Sequence, residues 1–580
     1  MSIIYGAVLN NFYSGKSHQG GQRIFALRLL LSILFILAAP VKGWLALAPS
    51  RNRAIVPVWT PTSRAADFIL PSSISHIYYS SLGCQNSKMK SKSSANEAGP
   101  MPSAPNSYSS ASNNKLKPRE GVIDLQTHTH RKSPADVLSH LSKACQELGI
   151  ESYDCYGDFQ ADSASSYLRK FESELAHHFG KEDAVFCISG GMAQSIALMI
   201  HSETNKTNIE KLGDYCPSFA CHPTSHVTLH ENNAYSELLK MEAMILGLEG
   251  SENYDPESLK VKGCFGMEPL RLSQVQKMFH AYDERENPDS SSEKFMLSYP
   301  NKVPLGKTHV STIMLELPHR EIGGKLTPWE EVEGISCLCQ DRGVRFHCDG
   351  ARIFEASVGY GHETLQQTAR PFDTIYISFY KGLGALSGAM LLGDTEFCTK
   401  ARVWMRRMGG NLYTLLPYAV SSWDGFRKNC LSPVTDCDIS VGDDGTISYE
   451  RKWKFDRKNF ERRRQKLCNI MKMLKRDGNI GSSVSFDPVT PQTNIVHGYL
   501  QISLEQCMEV IDKVETKTGI RILNRVRSCS DESKNGGNCS AFQCRFEWTV
   551  GEANVLIDDA QYFLGWQEFS KVIAQMKGNE

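Results

Sequence analysis

Apolar residues along this chain recur with two periods, and the places where the period changes outline an alternation of helices and strands. Val137, Leu138, Leu141, Cys145 and Leu148 follow Ser133-Pro134 at helical spacing, and Gly149 ends the run. Tyr167, Leu168, Phe171, Leu175 and Phe179 form a second stripe that stops at Gly180. Short continuous apolar runs at 184–188, 310–317, 344–348 and 375–379 predict buried strands. Thr327-Pro328-Trp329-Glu330 predicts a capping box at the head of a helix over 328–342, which Gly343 closes. Strands alternating with helices predict an α/β large domain whose mostly parallel sheet is covered on both faces. After about Ser422 the pattern changes to a charged helix near 457–476, followed by strand candidates at 493–500 and 542–550 and two helix candidates. That tail predicts a small α+β C-terminal domain.

The first hundred residues obey neither period. No acidic residue precedes Asp67, and an apolar run over 26–39 is flanked upstream by Arg23. The run is short for a membrane span and fits the core of a signal peptide over 1–43, with Val41 and Gly43 at positions −3 and −1 of a cleavage site. Arg51, Arg53, Arg64 and several serines then give a transit-like segment. A signal peptide followed by such a segment resembles the bipartite plastid presequences of algae; secretion and a signal anchor are the alternatives. From 86 to about 118 the chain is rich in Ser, Asn, Lys and Pro, which cannot bury enough apolar surface to order itself. The expected organisation is therefore a signal-like segment (1–43), a transit-like segment and linker (44–118), a large domain (119–430), a charged linker helix region (431–477) and a small domain (478–580).

Charge excludes some partners. The 64 basic and 64 acidic residues balance, so no bulk attraction to nucleic acid is implied, and the charged helix reads as a solvated face. No stable membrane span is expected once the presequence is removed. The 18 cysteines lack paired zinc spacing or a compact disulfide framework and read as mostly reduced and buried. No metal site is expected; His128-Thr129-His130 alternates on an apparent strand but lacks a third ligand.

The candidate chemistry sits at strand ends. Phe346-His347-Cys348-Asp349-Gly350-Ala351-Arg352 closes one predicted strand, and Lys381 follows the next among glycines. Singly, an Asp-Gly pair also fits a turn and a lysine beside glycines a solvated loop. Together, on consecutive strand ends where α/β sheets bind ligands, they fit a pyridoxal phosphate (PLP) site. That cofactor needs an amine to hold its aldehyde and an anion to keep its pyridine nitrogen protonated; Lys381 and Asp349 supply them. Ser189-Gly190-Gly191, between a strand and a helix, offers backbone N–H groups and a helix dipole to a phosphate.

These residues resemble a known family. His347-Cys348-Asp349-Gly350-Ala351-Arg352, Ser378-Phe379-Tyr380-Lys381-Gly382-Leu383-Gly384 and Ser189-Gly190-Gly191-Met192-Ala193 are similar to blocks of the threonine aldolases and their beta-eliminating-lyase relatives; Tyr156-Gly157-Asp158, Ser225-His226 and Arg407-Met408-Gly409-Gly410 also fit. The resemblance covers roughly residues 120–570 and implies the PLP-dependent transferase-like fold type I. It implies that Lys381 forms the Schiff base, Asp349 pairs with the pyridine nitrogen, and His226 stacks on the ring. It places Ser189, Gly190, Gly191 and Ser378 around the phosphate, Arg352 and Arg545 on the substrate carboxylate, and His319 near the substrate hydroxyl. Departures concern the substrate: Gly191 stands where the family carries a threonine, and Gln126-Thr127-His128-Thr129 where it carries Arg-Ser-Asp-Thr, leaving Thr127 to offer a hydroxyl to the carboxylate.

The expected function is a lyase that cleaves a β-hydroxy-α-amino acid of threonine or allo-threonine type to glycine and an aldehyde. His226, His319 or an ordered water would be the base. The alternatives are β-elimination from a cysteine-like or aromatic amino acid, and a PLP-fold protein without turnover. The resemblance further implies a homodimer or homotetramer.

Overall fold

A computed structural model describes residues 121–130, 132–152, 154–156, 166–204, 215–247, 254–284, 298–441, 447–529 and 542–578. The presequence and linker expectations, and Gly157 and Asp158, lie outside these residues. The described part belongs to one compact unit, Tyr108–Glu580.

Chain entry differs from expectation. Strand β1 (Ile123–Asp124) pairs in parallel with β14 (Ile520–Arg521), and the segment 126–130 that follows is irregular, so His128 and His130 do not alternate on a strand. Helix α1 (Pro134–Glu147) starts on a Ser133/Asp136 capping box, but Leu138 is 67% exposed and only Ala144 is buried on it. Helix α2 (Tyr167–Phe179) behaves as its stripe predicts: Ser166 caps it, Gly180 ends it at φ 63°, and Tyr167, Leu168, Phe171, Leu175 and Phe179 are all buried.

The central sheet uses β2 (Asp183–Cys187), β3 (Cys216–Cys221), β4 (Glu242–Ile245), β5 (Ser298–Tyr299), β6 (Thr308–Glu316), β7 (Arg345–Gly350), β8 (Thr374–Ser378) and β9 (Ala389–Gly393), in the order β2-β9-β8-β7-β6-β3-β4-β5. Only β9 and β5 run against their neighbours. The sheet is mostly parallel, as the alternation predicts. Its interior strands are buried nearly throughout, which is why they read as continuous apolar runs and not as alternation. Between β2 and β3 runs helix α3 (Gly190–Thr204), and between β6 and β7 runs α4 (Trp329–Arg342). The predicted capping box of α4 does not form: Pro328 takes the cap position, and the Thr327 hydroxyl donates instead to the Leu270 carbonyl at 3.1 Å. On α4 Cys337 is exposed and Cys339 buried, as two residues apart on a helix must be. The described cysteines are all free, and most are buried.

After helix α5 (Leu416–Cys430) an antiparallel hairpin, β10 (Leu431–Val441) and β11 (Ile447–Phe455), stands where the sequence predicts only a charged linker. Pro433 and the polar run behind it hid the strand signal. The predicted charged helix then appears as α6 (Lys458–Arg476), with Phe460, Leu467, Ile470, Met471 and Leu474 buried on one face. A second sheet has the order β12 (Ser485–Asp487), β13 (Ile495–Leu500), β16 (Cys544–Thr549), β15 (Arg527–Ser528). It packs with helices over 504–518 and 559–578 around a core of its own that contains Trp548, Trp566, Tyr562 and, from the segment that follows β1, Leu125.

Candidate active site

Strand register builds the site. On β7 Asp349 lies beside Glu316 of β6 and Tyr376 of β8, all three at the same edge of the parallel sheet. Asp349 is 2% exposed and accepts the Ala351 N–H at 3.1 Å. Burial, reinforced by the neighbouring Glu316 carboxylate, pushes its carboxyl up to about 6; Lys381 and His226 pull the other way. Lys381 follows β8 by three residues. Burial and then Arg352 push its amine down to about 8, against the pull of Asp349 and Glu316. Its Nζ lies 5.9 Å from the Tyr376 ring centre and 5.8 Å from that of Tyr380. A buried acid and a buried amine, each shifted by desolvation and by specific charges at one strand-end edge, mark a candidate functional site.

The phosphate turn forms at the N-terminus of α3. Gly190 is its first residue, and the Ser189 hydroxyl accepts the Met192 N–H at 3.4 Å. Space there is tight: a Cβ on Gly190 would stand 2.2 Å from the Tyr376 hydroxyl oxygen. Gly191 is looser, with the Glu231 carboxylate 3.5 Å from where its Cβ would be. Beside the turn, at the end of β8, the Ser378 hydroxyl is buried and faces the Tyr376 phenol.

Two histidines converge on Glu316. His226 opens a short helix, His226–His230; its N–H donates to Glu316 at 3.3 Å and its Nδ1 is 3.3 Å from Glu231. His319 is 1% exposed, and its Nε2 lies 2.8 Å from the Thr224 hydroxyl and 3.8 Å from Glu316. Its Nδ1 is buried without a partner. Burial would raise the Glu316 carboxyl, but His319, His226 and the Arg320 N–H together hold it below its ordinary value. Glu316 and Arg320 were not singled out from the sequence; the legible signal was an acid closing an apolar strand, Leu315-Glu316-Leu317.

The expected carboxylate residues Arg352, Arg545 and Thr127 come from three segments far apart in the chain. Arg352, at the head of the helix Ile353–Tyr360, is half-buried and has no salt-bridge partner among the described residues. Its charge acts on Lys381. Arg545 is 4% exposed on β16, where one Nη donates to the Lys260 carbonyl at 2.6 Å and the other stands 3.8 Å from Glu321. Thr127 gives its hydroxyl proton to Asp124. Arg545 and Thr127 line a cavity of about 460 Å³ with Arg320, His497 and Glu547, and the charge of Arg352 reaches Glu547 there. Arg320 joins the two regions: its N–H donates to Glu316 at 3.1 Å, and its guanidinium meets Glu547 at 2.8 Å and Glu321 at 3.0 Å.

Residues 155–442 match the sequence profile of the family described as beta-eliminating lyase. The chain is 27% identical over 295 residues to a probable low-specificity L-threonine aldolase of Arabidopsis thaliana, covering 50% of this chain and 66% of that one. It is 28% identical over 284 residues to a low-specificity L-threonine aldolase of Candida albicans, covering 49% and 63%. These matches span two-thirds of the relatives' length or less. A solved structure of a putative L-allo-threonine aldolase from Listeria monocytogenes superposes with a TM-score of 0.55 at 25% identity, covering 78% of this chain and 96% of that one. The fold is thus that of the fold type I PLP-dependent proteins, and PLP is the cofactor it implies. The residues present fit that group. Lys381 is an amine lowered toward neutrality, Asp349 a buried acid at the next strand end, Gly190 a close approach at a helix N-terminus, and Ser378 a buried hydroxyl at the end of β8.

Proposed function

From the place of residues 155–442 in the beta-eliminating lyase family, we propose that this protein is a PLP-dependent carbon–carbon lyase of the threonine aldolase type. Its substrate is a β-hydroxy-α-amino acid such as threonine or allo-threonine, and its products are glycine and an aldehyde. The observation that carries the reading is the placing of Lys381 and Asp349 after adjacent strands, with Arg352, which has no salt-bridge partner among the described residues, acting on Lys381.

Bound PLP supplies an aldehyde for amines and a ring that accepts an electron pair. The chain's own residues do the rest. Lys381, with its amine near 8, is partly neutral at physiological pH and able to act as a nucleophile. Asp349 in its anionic form would hold the pyridine nitrogen of that cofactor in its protonated form. Arg352 grips the α-carboxylate in a bidentate fork, and that grip aims the Cα–Cβ bond. A base within reach of the β-hydroxyl takes its proton as the bond breaks. His226 and His319 flank Glu316, and the unpartnered Nδ1 of His319 gives it a site for a proton.

Purified protein incubated with threonine should release glycine and acetaldehyde in equal amounts. Pyruvate and ammonia from a cysteine-type substrate, with no glycine from threonine, would favour β-elimination, the second reading that the family's name supports. Lys381→Ala should abolish the visible absorbance of bound cofactor; an unchanged spectrum would sink the assignment of Lys381.

The same proposal includes a homodimer or homotetramer, supported by the exposed Leu138, Tyr380 and Leu386 and checked by light scattering. It also includes plastid import by the N-terminal segment, checked by the fate of a fluorescent protein fused behind residues 1–118.

A further inference from the structure

The His319 ring is one end of a buried chain of hydrogen bonds that no step of the chemistry above uses. His222 and Thr224 follow β3 directly, and both are buried. The Nε2 of His222 lies 2.9 Å from the Glu268 carbonyl oxygen, and its Nδ1 lies 2.9 Å from the Thr224 hydroxyl and accepts the Thr224 N–H at 3.1 Å. The same hydroxyl lies 2.8 Å from the Nε2 of His319. The two rings meet edge to face, with centres 4.5 Å apart. Thr224 therefore stands between two imidazoles, and the direction of its one hydroxyl hydrogen decides what each ring must carry.

A count of hydrogens fixes that direction. A carbonyl oxygen only accepts, so the His222 Nε2 carries a proton. Burial, reinforced by the neighbouring His319, holds the His222 ring well below its ordinary value, so the ring is neutral and its Nδ1 is bare. A bare nitrogen 2.9 Å from a hydroxyl oxygen needs the hydroxyl hydrogen between them; Thr224 donates to His222 and turns a lone pair toward His319. Two further atoms near the His319 Nε2 also only accept, the Thr224 carbonyl oxygen at 3.3 Å and the Glu316 carboxylate at 3.8 Å. Lys325, the backbone bridge partner of His319, directs its amine to Glu268 and Asp487 and does not compete. The proton of a neutral His319 thus sits on Nε2, and Nδ1, buried without a hydrogen-bond partner, keeps its lone pair.

We infer that Thr224 and His222 are positioning residues that fix the tautomer of His319, so that its Nδ1 receives the β-hydroxyl proton in the cleavage step. The inference rests on the aldolase reading for the source of the proton but not for the tautomer. In that step the hydroxyl proton moves to Nδ1, the O–H electron pair forms the aldehyde C=O, the Cα–Cβ bond breaks and its pair passes to Cα. Cα then takes up one proton to give glycine, so one proton leaves oxygen and one arrives at carbon. The imidazolium formed keeps its Nε2–H on Thr224 and faces the Glu316 carboxylate, which offsets the new charge.

Two measurements on the full-length, cofactor-loaded protein test the relay. In the first, nitrogen NMR of isotope-labelled histidines, with the His319 signals assigned by their loss in His319→Gln, should show the neutral ring protonated at Nε2. Thr224→Val and His222→Leu should admit the Nδ1-protonated form, and Thr224→Ser should not. In the second, Thr224→Val and His222→Leu should lower kcat for threonine at least tenfold with KM within about threefold, and Thr224→Ser should retain most of the rate. A wild-type ring protonated at Nδ1, or a ring that stays wholly Nε2-protonated in both variants, overturns the relay whatever the activity. If the tautomer shifts in the variants but kcat does not fall, Nδ1 is not the base and the catalytic role is overturned while the aldolase reading stands. If the wild-type protein cleaves no β-hydroxy-α-amino acid but the tautomer responds as expected, the aldolase reading fails and the relay stands.

Discussion

Lys381 is governed by charges of both signs, which makes its titration a direct test of the site. Below about 8 the amine is protonated and cannot attack an aldehyde. The rate at which cofactor-free protein captures PLP, followed by absorbance, should therefore rise between pH 6 and 9 with a midpoint near 8. Neighbouring substitutions should move that midpoint in opposite directions. Arg352→Met removes a repelling cation and raises it; Glu316→Gln removes an attracting anion and lowers it. Stability of the cofactor-free protein follows the same logic. Lys381 is held below its ordinary value, so its contribution is full above about 10 and lost as pH falls through about 8. Asp349 is held above its ordinary value, so its contribution is full below about 4 and lost as pH rises through about 6. Lys381→Met should accordingly raise the apo-protein Tm more at pH 7 than at pH 10. Lys381, Asp349 and Arg352 could be picked from the sequence because each stands at the end of an apolar run. Glu316 was not, because only the pairing of β6 with β7 turns it from one acid among many into the neighbour of Asp349.

Elements set how closely groups approach. The turn into α3 leaves no room at Gly190, so Gly190→Ala would drive its methyl against the Tyr376 hydroxyl. Tyr376 is packed in the sheet and 3% exposed, so it cannot simply swing away. Loss of at least tenfold in PLP affinity is expected by equilibrium titration, and Gly191→Ala, with ordinary van der Waals space, should lose much less. In the second sheet Gly498 of β13 lies opposite Phe546 of β16, whose ring would meet an added Cβ at 2.1 Å. Gly498→Ala should destabilise by about 1–3 kcal/mol in denaturant titrations, as overpacking of a rigid core does. The interior strands and α2 were legible because both faces or one full stripe are apolar. The β10–β11 hairpin was not, since its polar sequence carries no period that distinguishes a strand from a solvated linker.

At the scale of the whole molecule, the ends of the described chain close on each other. The Ile123 N–H donates to the Gly519 carbonyl at 2.9 Å, the Leu125 N–H to Arg521 at 3.0 Å, and Gln126 Nε2 to the Glu547 carbonyl at 2.8 Å. Leu125, with no exposed surface, fills the core around Trp548 and Tyr562. Leu125→Ala should therefore cost about 2–5 kcal/mol of stability, read from the denaturation midpoint. The same closure carries Thr127 and His128 to the arginine-lined cavity beside β16. By itself the sequence determined the parallel-sheet architecture, the strand-end acid and amine, and the glycine turn at a helix head. Hydrophobic period and the residue types that end each run are local properties. Only the tertiary structure decided that Glu316 sits against Asp349, that Arg320 links that pair to Glu547, and that Arg527 faces Arg545. Those are relations of register and packing between segments far apart in the chain, and no local pattern encodes them.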